Sequence, residues 1–136
     1  MKINIKTIPH KSQTYETCGN WQLTNTKNGE PVFSIQVSEL GDWRMELLIA
    51  VHELVEVALC KQRRITQKQV DKFDLNYEAD RLKGLHGEDD EPGDDPKSPY
   101  RREHFFATNI EALLSAELGV DWQEYEKRVY ALDQSK

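Results

Sequence analysis

The chain has 136 residues, of which 38% are hydrophobic and 9% aromatic, and this composition is typical of a globular domain with its own core. Its 18 basic and 24 acidic residues give a net charge of −6, which disfavours a nucleic-acid backbone as the main partner. The sequence contains neither an apolar run of membrane-spanning length nor a signal-peptide core. Its two cysteines make neither a disulfide framework nor a zinc knuckle. We therefore expect one cytoplasmic domain over residues 1–136, without a membrane partner.

The first forty residues carry the alternation that is typical of β-strands. Polar and β-branched residues alternate through Lys2–Thr7, which predicts a half-buried strand. Trp21–Thr24 and Val32–Val37 alternate in the same way, and Asn28-Gly29 between them indicates a hairpin turn. Residues 1–40 are thus predicted to form a small antiparallel or mixed sheet, with a hairpin and an edge strand.

About four helices are predicted to follow the sheet. The first occupies residues 42–62, and a helix that is apolar nearly all round is normally a buried helix. A capping box starts the second helix at Thr66, and the third and fourth begin after Pro99 and Asp121. With a helical part over residues 66–132, the predicted fold class is α+β.

An acidic loop over residues 86–99 interrupts the helical part. Six acidic residues lie between positions 88 and 95, and such runs usually repel one another and stay solvated. A calcium site of the EF-hand type would need alternating oxygen ligands and a glycine at its turn, and the segment lacks this spacing. We therefore expect a solvated loop.

The first predicted helix carries three ionisable side chains in apolar surroundings. In the segment Val51–Cys60, the side chains of His52, Glu53 and Glu56 lie within an arc of about 100°. Because buried carboxylates are usually paired or bound to a metal, this arc predicts a site. Cys60 continues the i, i+4 series as a further ligand candidate.

The third predicted helix carries a matching polar stripe, on which His104 and Glu111 share one face. If the two stripes pack together, His52, Glu56 and His104 converge on one ion. Glu111 is then either a further ligand or the acceptor for an imidazole N–H. His104 and Glu111 are about 10 Å apart along the axis, so they are not expected to bind one metal from an undistorted helix.

The HELVE segment at residues 52–56, which follows the strand-like Phe33–Val37, resembles the active-site helix of zincin-type metallopeptidases. That helix carries H-E-x-x-H and follows an edge strand, and a later helix supplies the third ligand. The resemblance implies a zincin-like fold, a divalent metal, hydrolase activity and a protein or peptide substrate. The small size and the acidic, helix-rich second half are also similar to those of small phage-encoded proteins.

The resemblance also implies roles for single residues. His52 would be the first ligand, and Glu53 the general base that takes a proton from a metal-bound water. His104 or Glu111 would be the third ligand. Glu56 stands where zincins have their second histidine. A carboxylate ligates zinc, the first choice of metal, but as a harder ligand it also suits iron or manganese.

Three other interpretations compete with a hydrolase. The first is a zincin-shaped binding or regulatory protein that lacks catalysis and holds a structural metal or none. The second is a two-iron carboxylate helix bundle, which requires a Glu-x-x-His spacing that this sequence lacks. In the third, Glu53 and Glu56 pair with Arg101, Arg102 or a lysine in a buried ion network without catalytic purpose. The sequence favours the hydrolase.

Overall fold

The fold was analysed in a computed structural model that describes residues 1–133 and 135. It consists of a sheet followed by helices, and the predicted α+β class is confirmed. In chain order the elements are β1 (Lys2–Ile8), β2 (Gly19–Asn25), β3 (Pro31–Ser38), α1 (Trp43–Gln62), α2 (Gln67–Leu82), α3 (Arg101–Glu117) and α4 (Trp122–Asp133). Short 3-10 turns occur at His10–Ser12 and Pro92–Asp94.

The sheet has three strands in the order β1-β3-β2 and is mixed. β1 runs parallel to the central strand β3, whereas β2 runs antiparallel to it. Gly29 adopts a φ of 81° in the connection between β2 and β3, a left-handed conformation that glycine tolerates without strain. The predicted hairpin and the separate edge strand are therefore confirmed.

β1 is more exposed than the prediction of a half-buried strand allows. Ile3 and Ile5 are 43% and 47% exposed, although their partners in β3, Phe33 and Ile35, are buried. The reason is the width of the helical layer. Because α1 packs mainly over β3 and β2, it covers the apolar side of β1 much less than that of its neighbours.

α1 begins as predicted, since the Asp42 side chain accepts a hydrogen bond from the backbone N–H of Arg44 and caps the helix. The expectation that this helix is buried all round is wrong for one flank. Trp43 is 66% exposed and Leu47 is 38% exposed, whereas Leu48 on another face is fully buried. A small sheet and one neighbouring helix do not enclose the whole circumference of α1.

α3 packs antiparallel against α1. At one end, Arg63 forms an ion pair with Glu103 at 2.7 Å, and at the other end Arg44 donates to the Leu118 carbonyl at 3.5 Å. The C-terminal end of α1 therefore lies beside the N-terminal end of α3. This arrangement brings the middle of the two helices, with their polar stripes, into contact.

The remaining helices have the predicted caps. Thr66 and Gln69 form a reciprocal capping box at the start of α2, and Asp121 accepts from the backbone N–H of Glu124 at the start of α4. Among the helices of the described residues, none has both the length and the apolar character needed to cross a membrane.

Asp74 on α2 is a source of pH-dependent stability. It accepts a hydrogen bond from the Tyr100 hydroxyl at 2.7 Å, and burial raises the pKa of its carboxyl from 3.8 to about 7. Because the folded state then binds the proton more tightly than the unfolded chain does, the free energy of unfolding falls as pH rises from about 4 to 7. We expect Asp74→Asn to reduce this fall by about 1–3 kcal/mol, allowing for partial exposure.

Urea denaturation in the presence of a chelator, at several pH values across this interval, measures the effect. Burial also raises the pKa of Asp133 to about 7, so part of the slope is expected to remain in the Asp74→Asn variant. A variant with the same slope as the wild-type protein would show that Asp74 is not responsible.

Candidate metal centre

α1 and α3 bring together one atom each of His52, Glu56 and His104. The Nε2 atom of His52 is 3.3 Å from Oε2 of Glu56 and 3.2 Å from Nδ1 of His104, and these last two atoms are 2.9 Å apart. We call this group the triangle. In a tetrahedral zinc site with bonds of 2.0–2.2 Å, neighbouring ligand atoms are about 3.3 Å apart. The triangle therefore has the spacing of three ligands of one cation.

The outward nitrogen of His52 is bound by Glu111. Its Nδ1 atom lies 2.7 Å from Oε2 of Glu111, whose other oxygen accepts a hydrogen bond from the hydroxyl of Tyr125 on α4. Of the two roles that the sequence left open for Glu111, the structure thus places it behind the imidazole, as the acceptor of its N–H. Sequence analysis did not identify Tyr125.

The outward nitrogen of His104 is bound by the acidic loop. Its Nε2 atom lies 3.1 Å from Oε2 of Glu91 and 3.6 Å from Oδ1 of Asp94. The expectation of a purely solvated loop is therefore wrong at this point, because the turn Pro92–Asp94 packs Gly93 directly against the imidazole ring. Only the Pro-Gly pair within the acidic run could have indicated such a close backbone approach.

The second oxygen of Glu56 is bound by the sheet. The indole N–H of Trp21 on β2 donates to Oε1 of Glu56 at 2.8 Å, and both side chains are buried. Trp21 was predicted only as part of a strand. Each side chain of the triangle thus has a hydrogen-bond partner on its outer side, as metal ligands in proteins almost always do.

These outer hydrogen bonds determine what the triangle offers. If Nδ1 of His52 donates to Glu111 and Nε2 of His104 donates to Glu91, each neutral ring turns a lone pair towards the other. Oε2 of Glu56 is also an acceptor, so three acceptors face one another. A proton can join only two of them, whereas a divalent cation can bind all three.

In the absence of a metal, protons occupy the space between the three atoms of the triangle. Burial alone lowers the pKa of His52, but its hydrogen bonds to Glu111 and Glu56 outweigh this effect and hold that pKa well above its ordinary value. Burial also acts against protonation of His104, yet the bond to Glu56 raises its pKa to about 10. The two imidazoles in turn hold the pKa of Glu56 below its usual range, despite burial. Metal binding at these atoms would therefore release protons.

Glu53 lies beside the triangle and is not part of it. Its carboxylate turns towards β2, where a Cβ atom on Gly19 would overlap with Oε1 of Glu53. Glycine at position 19 thus makes room for this side chain. Burial and the negative charge of Glu56 raise the pKa of Glu53 above its usual range. Glu53 therefore lies apart from the three glutamates that contact imidazoles, Glu56, Glu91 and Glu111, and its pKa is shifted in the opposite direction to that of Glu56.

Two of the sequence-based alternatives do not match this arrangement. Arg101 and Arg102 are exposed, and the described hydrogen bonds of Glu56 come from Trp21 and the two histidines instead. Cys60 is fully buried and lies outside the group of ligand atoms, and burial raises the pKa of its thiol. The carboxylates of Glu56, Glu91, Asp94 and Glu111 thus lie against the two imidazoles rather than against a guanidinium group.

Gly93 offers a test of how the loop supports His104. A Cβ atom at this position would lie 2.5 Å from Cγ and 2.7 Å from Nδ1 of the imidazole, which has a partner at each nitrogen and has to move. We expect Gly93→Ala to weaken zinc binding about 10- to 100-fold, measured by competition with a chromogenic chelator. Gly87→Ala is the control, because its Cβ meets only the exposed Asp90 carboxylate, at 3.1 Å. Equal zinc affinity in both variants would contradict this role of the loop.

Glu111→Gln tests the support on the other side of the triangle. Glutamine keeps the shape of the side chain but removes the charge that makes the His52 imidazole a stronger donor to a metal. We expect zinc affinity to fall about tenfold or more. Glu117→Gln, an exposed change on the same helix, should leave the affinity unchanged. A titration in which Glu111→Gln and Glu117→Gln coincide would assign Glu111 a purely structural role.

Comparisons with other proteins add no family to this description. No family model matches the chain, and no curated protein or solved structure matches it significantly. The likeness of residues 52–56 to the zincin motif therefore stays a resemblance of one helix. The function has to be inferred from the chemistry of the triangle and of the side chains that surround it.

Proposed function

We propose that this protein is a metal-dependent hydrolase, specifically a small zincin-like peptidase. The observation that carries the proposal is the triangle, in which three buried atoms that can ligate a metal face one another and the outer side of each side chain has a polar partner. His52, Glu56 and His104 are the proposed ligands. Zinc is the proposed metal, and iron and manganese are the alternatives that a carboxylate ligand admits.

The donor set supports a catalytic metal in spite of the change at Glu56. Two imidazoles and one carboxylate are the protein ligands of the catalytic zinc in thermolysin, and three protein ligands leave a position open. In the present chain the carboxylate would come from the first helix and one imidazole from the later helix. The charge and number of the ligands are the same in both arrangements, so Glu56 is compatible with hydrolysis.

Glu53 is the proposed general base. When bound, a divalent cation would polarise the scissile carbonyl and lower the pKa of a nearby water. Glu53 would take a proton from the attacking water and pass it to the leaving amine. Its position next to His52 on α1, beside the triangle, supports this role. Trp21 and Glu111 would keep Glu56 and His52 in place during the reaction.

One observation favours a second candidate, a zincin-shaped binding protein with a structural metal. The side chains of His52, Glu56 and His104 are only 10%, 7% and 12% exposed. Structural metal sites are closed, whereas catalytic sites keep a position open to substrate. The two candidates share the metal and differ in whether Glu53 contributes to turnover.

The test combines metal content with hydrolysis. The full chain is stripped with a chelator, reconstituted with zinc, iron or manganese, and assayed for metal by elemental analysis and for cleavage of fluorescently labelled casein. We expect one ion per wild-type chain, and none in His52→Ala or His104→Ala. Glu53→Gln should keep the metal and lose about 100- to 10,000-fold in cleavage rate. Glu126→Gln, an exposed change on α4, is the matched control.

The possible results separate the candidates. A wild-type chain that takes up none of these metals overturns both of them. A chain that binds metal stoichiometrically but cleaves no peptide substrate would overturn the hydrolase and support the second candidate, the binding protein. Cleavage that survives Glu53→Gln at the wild-type rate would remove Glu53 from the mechanism and with it the zincin-like assignment.

A further inference from the structure

One side of the molecule leaves apolar side chains uncovered. It consists of the apolar face of β1, with Ile3 and Ile5, and the outer surface of α1, with Trp43, Leu47 and the partly buried Leu54. We call these five residues the flank. Trp43 and the two isoleucines are all more than two-fifths exposed. Several exposed apolar residues on one side of a domain are the kind of surface that marks an interaction site.

α1 and β1 both contribute to the side of the molecule that carries the flank. Ile49 and Glu53 of α1 lie against Gly19 of β2, and the neighbouring His52 faces α3. On a helical wheel, Trp43, Leu47 and Leu54 lie within about 40° of one another and point away from that side. Because the strand order is β1-β3-β2, the direction away from β2 is the direction of β1.

The free edge of β1 adds a second feature. β1 pairs with β3 on one side only, so one row of its backbone N–H and C=O groups points outward. Such an edge is a template for pairing with another strand. The strand is seven residues long, and its apolar residues lie on the side of the sheet that carries the helices.

The charge of β1 and the flank limits which partner can bind there. β1 contains no acidic residue, and its two charges are Lys2 and Lys6. The flank itself is apolar, although the chain as a whole carries a net charge of −6, with six acids gathered in residues 88–95. Two copies of an acidic chain repel each other in most orientations, but not where these acid-free surfaces meet.

We propose that a second copy of this chain covers the flank, and that the two β1 strands pair antiparallel about a two-fold axis. Pairing centred on Ile5 sets Ile5 opposite its counterpart, Ile3 opposite Thr7, and Lys6 opposite Asn4. Pairing centred on Asn4 would instead set Lys2 opposite Lys6, and like charges directly opposite are destabilising. Of these two registers, charge thus favours the one centred on Ile5, which also uses the whole strand.

The dimer would join two three-stranded sheets into one continuous sheet, with both helical layers on the same face. The exposed surfaces of the two α1 helices would then approach each other above the joined β1 strands and exclude water. The interface lies on the side of α1 that faces away from His52. The proposed dimer therefore does not depend on the proposed hydrolase activity.

Sedimentation velocity of the full chain at micromolar concentrations tests the proposal. We expect a dimer for the wild-type protein and at least about tenfold weaker association for Ile5→Lys, which sets two lysines face to face. Leu113→Lys is the control, because Leu113 is exposed on α3, away from the flank. A monomeric wild-type protein overturns the proposal, as does a dimer that Leu113→Lys disrupts and Ile5→Lys does not.

Cysteine cross-linking tests the register. With pairing centred on Ile5, Ile5→Cys should give a disulfide-linked dimer on mild oxidation, whereas Ile3→Cys should not, because residue 3 faces Thr7. The native Cys18 and Cys60 are buried and should not contribute. Cross-linking of Ile3→Cys but not Ile5→Cys would overturn the proposed pairing.

Discussion

The contact between Nδ1 of His52 and Glu111 is the interaction on which the site depends. It joins α1 to α3 in the middle of their antiparallel packing, and it determines which nitrogen of His52 faces Glu56. Without it, the ring could rotate and present an N–H to the other members of the triangle. Because Tyr125 of α4 binds the same carboxylate, three helices together orient one imidazole.

The same arrangement links the site to the stability of the fold. Carboxylates and imidazoles are costly to bury unless their charges are compensated, and here acids outnumber bases around the triangle. A cation that binds only the folded protein adds to its stability in proportion to the logarithm of the ratio of its concentration to its dissociation constant. The geometry of the hydrogen-bonded triangle thus contributes to the stability of this chain as well as to its chemistry.

Sequence periodicity predicted which side chains share a face of each helix, because positions within a helix have a fixed angular relation. That His52, Glu56 and His104 would meet followed only on the further assumption that the two polar stripes pack together, which the structure bears out. Periodicity was not sufficient to find Trp21 and Glu91. Each of these belongs to an element whose approach to the site is decided by tertiary packing, and Glu91 is hidden in a run of similar charges. Nor could alternation show that β1 is uncovered, since it distinguishes two faces of a strand without showing what lies on either.

Trp21 makes the register of the hairpin part of the site. Side chains alternate along a strand, so a slip of one residue in the pairing of β2 with β3 would turn the indole to the opposite face of the sheet. Glu56 would then lose the donor on its outer oxygen, although no residue of α1 or α3 had moved. The turn between two strands, far from the histidines in sequence, thus helps to determine whether a carboxylate on α1 is oriented to bind.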